Sequence, residues 1–167
     1  MDSSPLPEIP AIGYLSEVEQ EHRAFLTGFG KFVRTTDGQR LITEGEKQDT
    51  LYLVLSGKLH VTSAVDGRAV LLANLGEGET LGEINLFDPQ KASANVTSMG
   101  ECLIWSLSRD EMEGLFAADP TAGVAVLKGL LKQVSARIRT MNEKLLTNEK
   151  EVFFDFWSAD KGGSDES

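Results

Sequence analysis

Leu81-Gly82-Glu83-Ile84-Asn85-Leu86-Phe87, continued by Asp88-Pro89-Gln90-Lys91-Ala92-Ser93-Ala94-Asn95-Val96, is the stretch around which the rest of the chain is arranged. It reads as a strand end, a glycine that frees the backbone, a short helical turn, a proline-broken loop and a new strand. Backbone N–H groups left unpaired at the start of such a turn point at one spot, which suits a small anion. Some other residue has to neutralise that anion.

On both sides of this stretch, from Phe32 to Leu107, the chain has the period of strands. Asp37-Gly38, Glu44-Gly45-Glu46, Ser56-Gly57-Lys58, Asp66-Gly67, Gly76-Glu77-Gly78-Glu79 and Met99-Gly100 punctuate it. Between them lie β-rich runs such as Leu51-Tyr52-Leu53-Val54-Leu55, Leu59-His60-Val61, Val70-Leu71-Leu72 and Leu103-Ile104-Trp105. Evenly spaced short strands with turn signals indicate a sandwich or barrel, and Asp66-Gly67 is expected at a hairpin tip.

Helical signals flank the strands. Residues 1–14, with Pro5, Pro7 and Pro10, read as a mobile leader pinned at its end by Ile12, Tyr14 and Leu15. Ser16-Glu17-Val18-Glu19 fits a capping box, and Val18, His22, Phe25, Leu26 and Phe29 then give a helix one apolar face. Ser108-Arg109-Asp110-Glu111 repeats the capping pattern before Met112, Leu115 and Phe116. Asp119-Pro120 stops that helix and starts another, with Asp as N-cap and Pro where a missing N–H does no harm.

In the last helix Val124, Leu127, Leu131, Val134, Ile138, Met141 and Leu145 alternate steps of three and four, a heptad stripe. The stripe fits either a helix lying on the barrel or a parallel seam with a second copy of the chain. Its persistence to Leu145 favours a homodimer, against mild repulsion among Lys128, Arg137 and Lys144 beside the seam. Beyond it, Phe153, Phe154, Phe156 and Trp157 are expected to dock on the chain's own barrel or to meet a protein partner, with Phe154-Asp155-Phe156 hinting at an extended segment.

A chain of 167 residues is enough for one well-buried core. Its net charge of -10 argues against sequence-independent nucleic-acid binding by the whole chain. Cys102 stands alone, which excludes an internal disulfide and a cysteine metal cluster. No run approaches the roughly 18 apolar residues of a membrane span, nor does Met1-Asp2-Ser3-Ser4-Pro5 begin a signal peptide, so a cytoplasmic protein is expected. His22 and His60 sit on separate elements without further ligands, and no nucleophile and base are paired. Neither catalytic nor metal-binding residues are assigned, and no enzymatic activity is expected.

An N-terminal helix, a barrel of short strands with glycine corners and a long closing helix resemble the cyclic-nucleotide-binding domain, the sensor module of catabolite-activator-type regulators, gated channels and protein kinase A regulatory subunits. The motif pieces are Ile42-Thr43-Glu44-Gly45-Glu46 with Asp49, Tyr52 to Val61 around Ser56-Gly57-Lys58, and Leu75-Gly76-Glu77-Gly78-Glu79-Thr80-Leu81-Gly82-Glu83. The resemblance covers about Leu15 to Leu145. It implies a mainly β fold with helices, a β-roll or jelly roll. On it the chain divides into a leader over 1–14, a domain over 15–146 with its roll at about 32–107 and closing helices at about 109–146, and an acidic aromatic-containing tail over 147–167. Residues 146–167 are too few and too acidic for the helix-turn-helix that many relatives carry there.

In the resembled family Gly82-Glu83 would open the phosphate-binding cassette. Glu83 would accept a hydrogen bond from a ribose hydroxyl, or else hold local amides, while the amides of Ile84 and Asn85 meet the cyclic phosphate of cAMP or cGMP. An arginine then pairs with the phosphate ahead of a small-residue strand. Here Ser93-Ala94-Asn95-Val96 fits that strand and puts Ala92 in the arginine's place. Lys91 either restores the charge or is a solvated loop lysine, and Ser93 either donates its hydroxyl or fills the corner. A charge-assisted bond contributes roughly 1.5–3 kcal/mol, so its loss should weaken binding by about ten- to a hundredfold or worse. The resemblance implies a regulatory module that senses a small anionic ligand with weakened phosphate binding and couples it to the C-terminal helix. The alternative is a degenerate domain without a nucleotide, kept for dimerisation or protein binding.

Overall fold

The computed structural model describes residues 8–160, with side chains except at 65 and 148–160. After a 3-10 turn, Gly13–Leu15, come α1 (Gln20–Leu26), β1 (Lys31–Thr35), β2 (Arg40–Ile42), β3 (Lys47–Gln48), β4 (Thr50–Val65), β5 (Arg68–Leu75) and β6 (Thr80–Leu81). Then follow α2 (Glu83–Phe87), β7 (Gln90–Lys91), β8 (Asn95–Ser108), α3 (Arg109–Ala118) and α4 (Pro120–Asp160). The main sheet is antiparallel in the order β1-β8-β4-β5, with β2 on β8 and β6 on β4, while β3 and β7 form a separate ribbon. This is the expected β-roll with flanking helices.

Two of the expected chain breaks are bends instead. Ser56-Gly57-Lys58 lies inside the 16-residue β4 and Met99-Gly100 inside the 14-residue β8. The two long strands stay paired from Thr50↔Ser108 to Thr62↔Asn95, with register shifts on either side of Ser56. Gly57 has φ 91°, and a Cβ there would lie 2.7 Å from Cys102 Sγ, so a glycine lets the strands bend and touch without separating them. Asp66-Gly67 does form the hairpin tip, at φ 50° and 75° between Val65 and Arg68.

The sheet separates two apolar clusters because successive side chains of a strand face opposite ways. Leu51, Leu53 and Leu55 of β4 and Trp105 and Leu107 of β8 pack with Leu15, Leu26, Met112, Leu115 and Val126 on the helical side. Val54 and Leu59, with Cys102 and Ile104, face the roll interior beside Ile42, Leu81, Ala92 and Val96.

The N-terminal segment is less free than its prolines imply. Ile9 is fully buried and Tyr14 nearly so, both in the helical-side cluster, so packing begins before residue 15. Arg23 holds the segment in place, its Nε donating to the Ile9 carbonyl at 3.1 Å and its Nη1 to that of Val18. The 3-10 turn also displaces the expected Ser16–Glu19 capping box: Ser16 N–H donates to Gly13 O at 3.2 Å and Val18 N–H to Leu15 O at 3.1 Å. Thus α1 begins at Gln20, with Glu19 at the N-cap and no side-chain cap. Burial of Leu15 and Val18 outweighs a cap worth about 1 kcal/mol.

The Ser108–Glu111 box does form, with Ser108 N–H donating to Glu111 Oε2 at 2.7 Å and Glu111 N–H to Ser108 Oγ at 3.3 Å. Asp119 caps α4, its Oδ1 accepting from the Thr121 and Ala122 amides at 3.0 Å each.

The chain divides into two compact units at Leu130. In the first, α4 meets the core through Ala122, Val126 and Leu130, and Val124 of the heptad stripe faces out. In the second, Leu131, Ile138, Met141 and Leu145 are exposed, Leu131 by 69%. Within the first unit α4 therefore joins the core by Ala122, Val126 and Leu130 and not by Val124 of the stripe. Because α4 runs to Asp160, the backbone of Phe154-Asp155-Phe156 is helical rather than extended, and the docking of that aromatic group lies outside the described side chains.

Candidate functional site

The site begins at β6, whose Leu81 pairs with Tyr52 of β4 and delivers the chain to Gly82. Gly82 takes φ 84° and ψ 5° at the N-cap of α2. A Cβ on it would lie 2.1 Å from the Thr50 carbonyl oxygen, so both conformation and space demand glycine. The five-residue helix turns immediately, with Leu86 N–H donating to Gly82 O at 3.0 Å and Asp88 N–H to Ile84 O at 2.9 Å. Glu83 is buried to all but 9% and Leu86 is buried, whereas Ile84 is exposed.

Asn85 closes the loop, its Nδ2 donating to Gln90 O at 3.1 Å. Gln90 and Lys91 then pair with Gln48 and Lys47 across the β3–β7 ribbon. Lys91 is exposed opposite Lys47, while the next residue, Ala92, is buried in the interior cluster with Leu81 and Val96. The two thus sit in opposite environments, as neighbours on an extended chain do. Ser93 is exposed at the exit.

Ala92 is held by the backbone of the Glu44-Gly45-Glu46 loop: Gly45 N–H donates to its carbonyl and its N–H donates to Glu46 O, both at 2.8 Å. Beside this clasp lies a polar knot that motif reading passed over. Asn95 Oδ1 accepts from Glu44 N–H at 3.0 Å and from Arg40 Nη1 at 2.6 Å. The Glu44 carboxylate accepts from Ser63 Oγ at 2.9 Å and from Ala64 N–H at 3.1 Å. These bonds tie the start of β8 to the outer part of β4, and the only local hint of them was an acidic residue beside the Gly45 corner.

The structure thus sets Gly82 against the start of β4, buries Glu83 and places Ala92 in the roll interior, with Lys91 and Ser93 exposed on either side of Ala92 and Asn85 engaged in the loop. Among the described residues no three His, Cys, Asp or Glu side chains are grouped to hold a metal, and no helix is long and apolar enough to cross a membrane. His22 Nδ1, Tyr14 OH and Trp105 Nε1 are buried without a hydrogen-bond partner among the described residues, and burial pushes the Tyr14 phenol well above its usual range.

The model of the cyclic nucleotide-binding domain matches residues 32–119, which hold the roll but for its first residue, Lys31, together with α2 and α3. The chain belongs to the cyclic nucleotide-binding domain family. A CRP-like cAMP-activated global transcriptional regulator of Mycobacterium tuberculosis is 31% identical over 134 residues, 80% of this chain and 58% of that protein. The chain therefore spans little more than half the length of that relative. A cyclic nucleotide-binding domain from Methylobacillus flagellatus superposes with a TM-score of 0.71 at 27% identity, over 78% of this chain and 74% of the other. The fold is shared more distantly by a regulatory subunit of a cAMP-independent protein kinase A from Trypanosoma cruzi bound to guanosine. Its TM-score is 0.57 at 19% identity, over 70% of this chain and 41% of the other.

Proposed function

We propose that the chain is a cytoplasmic, non-enzymatic regulatory module. Its cassette, from Gly82 to Ser93, takes a small anionic ligand of the cyclic-nucleotide class with a weakened hold on phosphate, and occupancy is coupled to α4. The observation that carries this reading is the pairing of a cassette turn that only Gly82 can make with a buried Ala92 in the arginine's place. The turn presents amides and Glu83 to a ligand, and Ala92 adds no charge. Lys91 does not supply it from the interior, being exposed on the ribbon beside Lys47. Helix-end amides contribute about 0.3–1 kcal/mol to an exposed anion, less than the roughly 1.5–3 kcal/mol of a charge-assisted bond.

Calorimetric titration with cAMP, cGMP, cyclic dinucleotides and guanosine, on the native chain and Ala92→Arg, tests the reading. Native affinity for cAMP should be weaker than low micromolar, and Ala92→Arg should gain tenfold or more. Low-micromolar native binding would overturn the weakened hold on phosphate. A folded Ala92→Arg without gain would overturn the placing of residue 92. Guanosine binding above that of any charged ligand would move the ligand to a neutral nucleoside, the class named for the trypanosome protein.

The reading extends to assembly: the exposed stripe Val124, Leu131, Ile138, Met141 and Leu145 is offered to a second copy as a homodimer seam. The same stripe supports the second reading, a domain kept for dimerisation or protein binding without a nucleotide.

A further inference from the structure

The outer face of the wall formed by β4, β5 and β8 carries a depression separate from the cassette. Directly paired residues of neighbouring strands share a face. His60 pairs with Asn74 of β5 and Thr97 of β8, and Lys58 pairs with Met99, which sets these residues in two adjacent rows. Leu59, between them, faces the interior cluster with Ala92. Gly76 follows β5 two residues beyond Asn74 and brings no side chain to the place beside Lys58. The result is a cleft of about 260 Å³ lined by Lys58, His60, Asn74, Leu75, Gly76 and Met99.

Its floor is fixed. Cys102 Sγ donates to Lys58 O at 3.2 Å, and Gly76 N–H donates to Glu79 Oε2 at 2.7 Å. Glu79 Oε2 accepts that bond at the Gly76 end, and the Lys58 ammonium, an imidazole N–H and the Asn74 amide are the donors on one side of the cleft. Met99 offers apolar surface on the other, and a methionine sulfur is a good neighbour for an aromatic ring. A concave, mainly apolar recess with a few convergent polar groups is the usual form of a small-molecule site.

We propose that this cleft is a second ligand site, taking a monocarboxylate with a compact apolar or aromatic body. The carboxylate lies toward Lys58, His60 and Asn74, and the body rests on Met99. At roughly 30 Å³ per water, the cleft holds the equivalent of about nine waters, room for a benzoate-sized acid. The proposal stands apart from the cassette reading.

Sodium benzoate titrated into the full chain at constant ionic strength, followed by methyl and amide NMR, tests it. Saturable shifts are expected at the Met99 methyl and at His60, Asn74 and Gly76, without shifts from Gly82 to Asn85. Lys58→Ala should weaken binding roughly tenfold, the loss expected for one charge-assisted contact. Gly76→Val should abolish it, since a Cβ there has only Glu79 Oε2 within 4 Å, at 3.9 Å, and fills the gap. Met99→Glu, at a half-exposed position, should also abolish binding and serves if Gly76→Val fails to fold. Shifts that stay linear in concentration, that sodium chloride reproduces, that move to the cassette amides, or that survive the filled cleft would overturn the proposal.

Discussion

Replacing Gly82 by alanine strikes the cassette at its tightest point. At φ 84° an L-residue is strained by roughly 1–2 kcal/mol. The new Cβ would also sit 2.1 Å from the Thr50 carbonyl oxygen, a backbone atom that no side-chain rotation can move aside. Relieving that overlap means shifting the start of β4 against β6, and overpacking of this kind adds about 1–3 kcal/mol. The sum, about 2–5 kcal/mol, should lower the melting temperature of a domain this size by roughly 5–15 °C. Gly38 is the control, with φ 72° and nothing within 4 Å of its Cβ position, so Gly38→Ala feels only the strain. Urea denaturation of the three proteins reads the difference. If Gly82→Ala and Gly38→Ala lose the same stability within about 0.5 kcal/mol, the close approach at Thr50 does not dictate glycine and the reasoning fails.

Other consequences follow from specific contacts. Burial pushes the Glu111 carboxyl up, but hydrogen bonds from the Ser108 N–H and hydroxyl and the Lys31 ammonium at 3.2 Å outweigh it and hold the group below the usual carboxylate range. A depressed pKa contributes stability that is present above the unfolded value, about 4.3, and lost as pH falls through the folded one. The stability gap between the native chain and Glu111→Gln should thus be full at neutral pH and close in acid, and a gap constant with pH in denaturation experiments would contradict it. Glu44→Ala removes acceptors from Ser63 and Ala64, so it should lose about 1–3 kcal/mol and speed hydrogen exchange at Ala64, Gly45 and Ala92. Protection unchanged at Ala92 would mean the knot does not brace the cassette exit. Leu131→Glu, at a position 69% exposed, should leave the fold intact and halve the mass seen by light scattering; a native chain already monomeric would remove the seam.

Features encoded within a few neighbouring residues were legible in the sequence. The Asp66-Gly67 hairpin, the Ser108–Glu111 box and the Asp119 cap each depend on side chains and backbone at most four positions apart, so local chemistry determines them. The Ser16–Glu19 pattern is equally local and yet was overruled, because Leu15 and Val18 are drawn into the core and a 3-10 turn takes the segment. Local preference of about 1 kcal/mol yields to apolar burial worth more.

The sequence by itself therefore determined the order of elements and the family. Tertiary structure alone decided that Gly57 bends β4 rather than ending it, that Ile9 belongs to the core and that the start of α4 joins it by Ala122, Val126 and Leu130. It also decided how the Gly82–Ala92 cassette is closed, through backbone bonds from Ala92 to Gly45 and Glu46 and through Asn95, Glu44 and Ser63. Those partners lie far apart along the chain, and their pairing exists only once the roll has closed.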